Sequence, residues 1–116
     1  MPMVRTTTEV FEDHLHKRLK GEVKEDISTN FSPDVVVLTG TGAFYGHEGV
    51  QESAKQLAAN LGAATFEYRH TLIEGEYAFL EWTAHAEGKK VCDGADSFVI
   101  RDGKIIFQSI HYSTSE

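Results

Sequence analysis

Two hydrophobic periods divide the chain. Up to about residue 62 apolar side chains recur every three or four positions, and from residue 64 onward they alternate with polar ones. Phe11, Leu15 and Leu19 stand four apart behind Thr6 and Glu9. That pair has the spacing of a reciprocal cap, Thr6 accepting from the Glu9 N–H and Glu9 reaching back to that of Thr6, so a helix is predicted from there to near Gly21. A shorter helix follows over 22–31, with Val23, Ile27 and Phe31 on one side, acidic residues in its first half and Ser32-Pro33 as its stop. The β-branched run Val35-Val36-Val37-Leu38-Thr39 is too short for a helix, and Thr39-Gly40-Thr41-Gly42 turns it into a return arm, Ala43-Phe44-Tyr45. Gly46-His47-Glu48-Gly49 then opens a third helix with Val50, Ala54, Leu57, Ala58 and Leu61 on one face, closed by Gly62.

In the second half Phe66, Tyr68, His70 and Leu72 alternate with Glu67, Arg69 and Thr71, a strand pattern. Turns at Glu74-Gly75-Glu76, Gly88-Lys89-Lys90 and Asp102-Gly103 divide residues 64–113 into four antiparallel strands. Helices followed by a meander predict an α+β fold with the helices on one face of the sheet. By strand parity Leu80, Trp82 and Phe98 share one face, and Phe79, Val99 and Phe107 the other. A sheet apolar on both sides needs a cover for each, and a second copy of the chain is expected over the second.

A chain of 116 residues suits one domain, taken as 1–116 with its core over about 6–113. Eleven Lys and Arg against 18 Asp and Glu give a net charge of −7, which leaves no positive stripe for nucleic acid or an anionic membrane. The opening Met1-Pro2-Met3-Val4-Arg5-Thr6 has no apolar signal core and no run reaches a membrane span, so a cytoplasmic protein is expected. Cys92, the single cysteine, allows no internal disulfide and reads as a strand residue. His14-x-His16 aims its rings to different sides of a helix, so no metal site is expected. Glu22, Lys24, Glu25 and Asp26 read as a solvated helix face. Without a Walker loop, a dinucleotide glycine pattern or a nucleophile elbow, no cofactor is expected.

The element order, with Ala78-Phe79-Leu80-Glu81-Trp82-Thr83-Ala84, the run Asp96-Ser97-Phe98-Val99-Ile100-Arg101-Asp102-Gly103-Lys104-Ile105 and the hairpin exit Phe44-Tyr45-Gly46-His47-Glu48-Gly49, resembles the nuclear-transport-factor-2-like (NTF2-like, cystatin-like) superfamily, in particular its SnoaL-like branch. The likeness spans roughly residues 6 to 113. It implies a cone: three helices on a curved, mainly antiparallel sheet, a cavity open at one end, and often a dimer through the convex face. Ketosteroid isomerases, polyketide cyclases, epoxide hydrolases and dehydratases share that fold, so fold alone does not select the chemistry.

Asp96-Ser97-Phe98 resembles the Asp-x-Phe of the isomerases, whose Asp points into the cavity and stabilises an oxyanion. A carboxyl among apolar walls holds its proton to higher pH and can donate it. The isomerase base falls on Thr39, which is no base, and its helix-1 tyrosine falls near His14 or Leu15. The epoxide-hydrolase positions fall on Trp82, Ala84 and Ile110 and fail likewise. Trp82 is expected to stack on a flat ligand, with Tyr112 at the cavity mouth and Tyr68, Phe98, Gln108, Ile110 and Leu15 as further lining. His70 is a candidate acid–base partner for Asp96, with its facing set by the Glu74-Gly75-Glu76 turn: a three-residue loop aims it at Trp82's face, a two-residue loop away. His85 and His111 fall on the outer parity. The sequence thus reads as a cone binding a small apolar organic molecule, acting as a cofactor-free isomerase, cyclase or dehydratase centred on Asp96, or else as a non-catalytic binding or dimeric interaction module.

Overall fold

Thr6 and Glu9 close the anticipated cap: the Thr6 hydroxyl accepts from the Glu9 N–H at 3.1 Å, and the Glu9 carboxylate from the Thr6 N–H at 2.8 Å. In the computed structural model, which describes residues 4–116, this box starts helix α1, Thr7–Leu19. Met1 to Met3, part of the opening judged to lack a signal core, lie outside the described residues. The buried stripe of α1 is Val10, Phe11 and His14, whereas Leu19, expected on it, is 57% exposed, because nine residues at 3.6 per turn place it on the opposite side of the helix from Val10.

Helix α2 is Val23–Asn30, one residue shorter at each end than predicted, and Phe31 instead opens strand β1, Phe31–Thr39. Proline disfavours helical backbone at the residue before it, so the chain is already extended at Ser32. Pro33 then sits where the β1 register shifts between Phe31 and Val36, a place that needs no ladder N–H. Strand β2, Gly42–Tyr45, returns beside β1, and helix α3, Gly46–Leu61, follows. Gly49 lets α3 start close against β2: a Cβ there would lie 2.8 Å from the Phe44 carbonyl carbon.

The meander forms as predicted, as β3 Thr65–Glu74, β4 Tyr77–Ala86, β5 Lys89–Arg101 and β6 Lys104–His111. One pairing lay beyond the sequence reading. β6 inserts between β5 and β1 and runs parallel to β1, which fuses hairpin and meander into one six-stranded sheet of order β2-β1-β6-β5-β4-β3.

Cross-strand register sorts the side chains into rows. Two inner rows, beneath the helices, read Val37, Gln108, Phe98, Ala78, Ile73 and then Thr39, Ile110, Asp96, Leu80, Thr71. Two outer rows read Val36, Phe107, Val99, Tyr77 and then Leu38, Ser109, Ser97, Phe79, Leu72. Register shifts in β3, β4 and β5 bend the sheet around the helices. Phe11 packs its ring edge-on to Phe98 with centroids 5.2 Å apart, which fastens α1 to the concave face.

Among the described residues no helix is long and apolar enough to cross a membrane. Cys92 lies in β5 as read, exposed.

Candidate functional site

Asp96 sits in the middle of its inner row, 9% exposed. Its Oδ1 accepts from the Trp82 indole N–H at 3.0 Å, and its Oδ2 from the Gln108 amide at 3.1 Å. Burial pushes the carboxyl pKa up, and the two N–H donors with the positive charge of His14 and Arg18 only partly oppose this. Trp82 holds its place because Gly94, its cross-strand partner, has no side chain: a Cβ at 94 would fall inside contact distance of the indole ring. Phe66 and Tyr112 flank the indole, each with ring centroids 5.6 Å away. A lone glycine within a strand pattern was a readable sign of such close approach.

Tyr68 faces inward opposite Trp82 and donates its hydroxyl to the Leu15 carbonyl at 3.2 Å. Burial raises this phenol to about 12; Arg18 opposes the rise, while Asp96 and Asp26 add to it. His70 does not share that face. The Glu74↔Tyr77 pairing leaves a two-residue loop, so His70 pairs with Glu81 on the outer surface, in a row with Ala95 and His111. The extra residue of a bulge, Arg69, lets Tyr68 point in while His70 points out. His70 is thereby parted from Asp96 by the thickness of the sheet. His85 and His111 are exposed, as their parity implied.

The open cavity lies nearer the rim than expected. Its 380 Å³ is bounded by the β1–β2 turn at Thr39 to Thr41, by Ser53, Gln56, Leu57 and Asn60 of α3, and by Ile110 and Tyr112 at the end of β6. Of the expected lining residues only Ile110 and Tyr112 border it; Trp82, Phe98, Gln108, Tyr68, Leu15 and Asp96 lie deeper, packed against one another. The aromatic side chains fill the space that the pattern assigned to a ligand. Tyr112 divides the two zones, its hydroxyl accepting from the Asn60 amide at 2.7 Å while its ring meets Trp82. Ile110 is both a wall of the cavity and the direct cross-strand partner of Asp96.

The sequence reading missed a second polar centre. Asp26, taken there for a solvated residue, is fully buried: its Oδ2 accepts from His14 Nδ1 at 2.8 Å and Arg18 Nε at 2.6 Å, its Oδ1 from Asn30 at 2.8 Å. Burial acts to raise the Asp26 pKa, but His14, Arg18 and Asn30 outweigh it and hold the carboxyl below its ordinary range. The signal was present, since His14 and Arg18 continue the Val10-Phe11 stripe of α1 at helical spacing, and Asp26 and Asn30 are one turn apart on α2. Acidic neighbours masked it.

The family described as SnoaL-like domain matches residues 11–108. Among solved structures the chain is similar to a ketosteroid isomerase candidate from Kribbella flavida DSM 17836, with TM-score 0.79 and 12% identity over 99% of this chain and 84% of that one. It is also similar to an NTF2-like protein of unknown function from Burkholderia xenovorans LB400, with TM-score 0.75 and 16% identity over 92% and 82%. A polyketide cyclase candidate from Sinorhizobium meliloti aligns with TM-score 0.70 and 19% identity over 88% and 93%. At these identities the likeness is one of fold. No curated protein matches the chain in sequence.

Proposed function

This chain belongs to the SnoaL-like domain family, and from that premise we propose that its cone takes a small, flat organic molecule at the rim cavity and acts on it by cofactor-free acid–base chemistry of the isomerase or cyclase type. The observation that carries the reading is Asp96: a carboxyl whose pKa burial raises, one cross-strand neighbour behind the cavity wall at Ile110. A protonated Asp96 donates a hydrogen bond to a substrate oxygen as that oxygen gains charge, in surroundings dry enough to strengthen the bond. Trp82 and Tyr112 supply aromatic faces for a ring system, and the way inward runs past Tyr112. A cavity of 380 Å³ fits a ligand of one to three rings.

A second reading, a non-catalytic binding module, is favoured by one detail. Both Asp96 oxygens are already satisfied by Trp82 and Gln108. Protein purified from a cell lysate and crystallised, together with an Asp96→Asn variant, separates the two. A carried-over carbonyl compound at the rim, with activity lost and binding kept in Asp96→Asn, supports chemistry. A bound ligand with no turnover in either protein supports the binding module, and an empty cavity in every preparation sinks both.

The reading extends to a homodimer through the outer rows, where Leu72 is 61% and Tyr77 63% exposed beside the half-buried Phe79, Val99 and Phe107.

A further inference from the structure

We propose that the rim cavity selects an anionic ligand: a small, flat organic acid whose carboxylate is held at the mouth by Lys89 and Tyr112 and whose far end carries an oxygen that meets Ser53. This rests on the rim cavity being the ligand site, and adds the charge and the two contact points which that reading leaves open. The chain bears a net charge of −7, yet among the described residues no Asp or Glu borders the cavity, while Lys89 does. His111, the other basic residue on its border, stands 3.7 Å from the Asp93 carboxylate, which also accepts from the Ser113 N–H at 2.8 Å and the Ser113 hydroxyl at 2.5 Å.

Asn60 assembles the mouth. Its carbonyl, one of the four left over at the C-terminal end of α3, accepts from Lys89 Nζ at 2.8 Å, and its side-chain amide donates to the Tyr112 hydroxyl at 2.7 Å. An ammonium has three N–H donors and this contact uses one; the Tyr112 oxygen accepts, so its own O–H stays available to donate. One residue therefore tethers both a cation and a hydroxyl donor at the cavity border, the donor set that a carboxylate takes. Capping the end of α3 accounts for one Lys89 N–H and for nothing that lies further in.

Ser53 is the informative residue. It lies two turns of α3 before Asn60, so the two share a helix face about 10 Å apart along the axis. It is 7% exposed and makes no hydrogen bond to any described residue, although a helical serine commonly returns its hydroxyl to a carbonyl one turn back, here that of Gly49 or Val50. Among the described residues no fully buried side-chain polar atom lacks a partner, so the Ser53 hydroxyl keeps accessible area, and the cavity it borders is where that area opens. A mere spacer between α3 and the sheet would be served better by alanine, the stronger helix former with no polar group to satisfy. Between the two ends Leu57 and Ile110 give a ring system its apolar walls.

The probe is 6-hydroxy-2-naphthoate, a flat two-ring acid with oxygen at each end, compared with 6-hydroxy-2-naphthamide, which has the same shape without the charge. Binding is followed by backbone amide NMR shifts in the unaltered protein, in Lys89→Gln and in Ser53→Ala. Expected is that the acid shifts resonances at 39–41, 53–60 and 110–114 and binds about fivefold more tightly than the amide, the scale of one exposed ion pair, with a margin that shrinks in added salt. Lys89→Gln should abolish the margin by weakening the acid alone, and Ser53→Ala should weaken both compounds about fivefold, the share of one hydrogen bond. Equal affinity for acid and amide, or a margin that survives Lys89→Gln, overturns the anionic preference and leaves the rim site standing. Undiminished binding to Ser53→Ala overturns the inner contact. Shifts confined to other regions, or none from either compound at millimolar concentration, overturn the rim site and the inference together. Should a variant fail to fold, the margin between acid and amide and its salt dependence in the unaltered protein decide.

Discussion

Replacing Gly94 by Ala tests the deep end of the site with a single methyl group. The added Cβ would lie 2.7 Å from the Trp82 carbonyl oxygen and closer still to Cδ2 and Cε2 of its indole, where carbon contacts need roughly 3.5–4.0 Å. The indole has no easy retreat, being bonded to Asp96 and flanked by Phe66 and Tyr112. Overpacking of this kind costs about 1–3 kcal/mol. Tilting the ring to escape breaks the Trp82–Asp96 bond, a loss of about 1.5–3 kcal/mol for a hydrogen bond to a charged group and less while Asp96 is protonated. The two routes are alternatives rather than a sum, so about 3 kcal/mol is expected. Unfolding entropy of about 2.1 cal/mol/K per residue makes each kcal/mol worth about 4 °C in a chain of 116 residues, so Tm should fall by about 12 °C. The assay is urea and thermal unfolding followed by Trp82 emission. Gly40→Ala, where a Cβ meets nothing within 4 Å, serves as the control. A loss under about 1 kcal/mol in Gly94→Ala, with unshifted emission, would refute the account of how Trp82 and Asp96 are held.

Other expectations follow from the same geometry. The folded-state pKa of Asp96 stands above its ordinary 3.8, so its contribution to stability is full below 3.8 and declines as pH rises through the folded value; Asp96→Asn should flatten that slope in pH-resolved unfolding. Asp26 has the opposite sign, contributing above 3.8 and losing its effect as pH falls through a depressed folded value. Asp26→Ala strands Arg18 and His14 and should cost about 3–5 kcal/mol by urea unfolding; a loss below 1 kcal/mol would refute the buried network. In absorbance titration one phenol should ionise only near pH 12, and Tyr68→Phe should remove that step and no other. Phe107→Asp, a charge in the middle of an outer row, should turn a dimer into a monomer in light scattering, and a monomeric parent protein would refute the outer interface.

Where local chemistry decides structure, the sequence was legible. The Thr6–Glu9 cap, the alternation of Ala78, Leu80, Trp82 and Ala84, and the Asp102-Gly103 turn each depend on neighbours a few positions away. The misread features depend on partners far along the chain. Asp26 looks solvated until His14 and Arg18 arrive from α1 to neutralise it. The facing of His70 hung on the length of one turn, since the two-residue loop after Glu74 sends it outward, and a bulge at Arg69, which leaves no apolar signature, then turns Tyr68 back inward. The cavity was displaced for a third reason: parity tells which face a side chain is on, but not that Trp82, Tyr68 and Phe98 fill the volume between them.

The parallel pairing of β1 with β6 reaches into how the molecule is made. β6, the latest of these six strands in chain order, occupies an inner position of the sheet, so an emerging chain holds two unfinished half-sheets, each with an open edge, until about residue 108 is available. Phe31 must wait for Ile105. Such pairings across most of the chain slow folding and leave edges free to mispair meanwhile. The same strand brings Gln108 to Asp96 and, with the residues after it, Ile110 and Tyr112 to the rim. A truncation before residue 104 would therefore remove the keystone of the sheet and the floor of the site together, leaving no half-functional fragment behind.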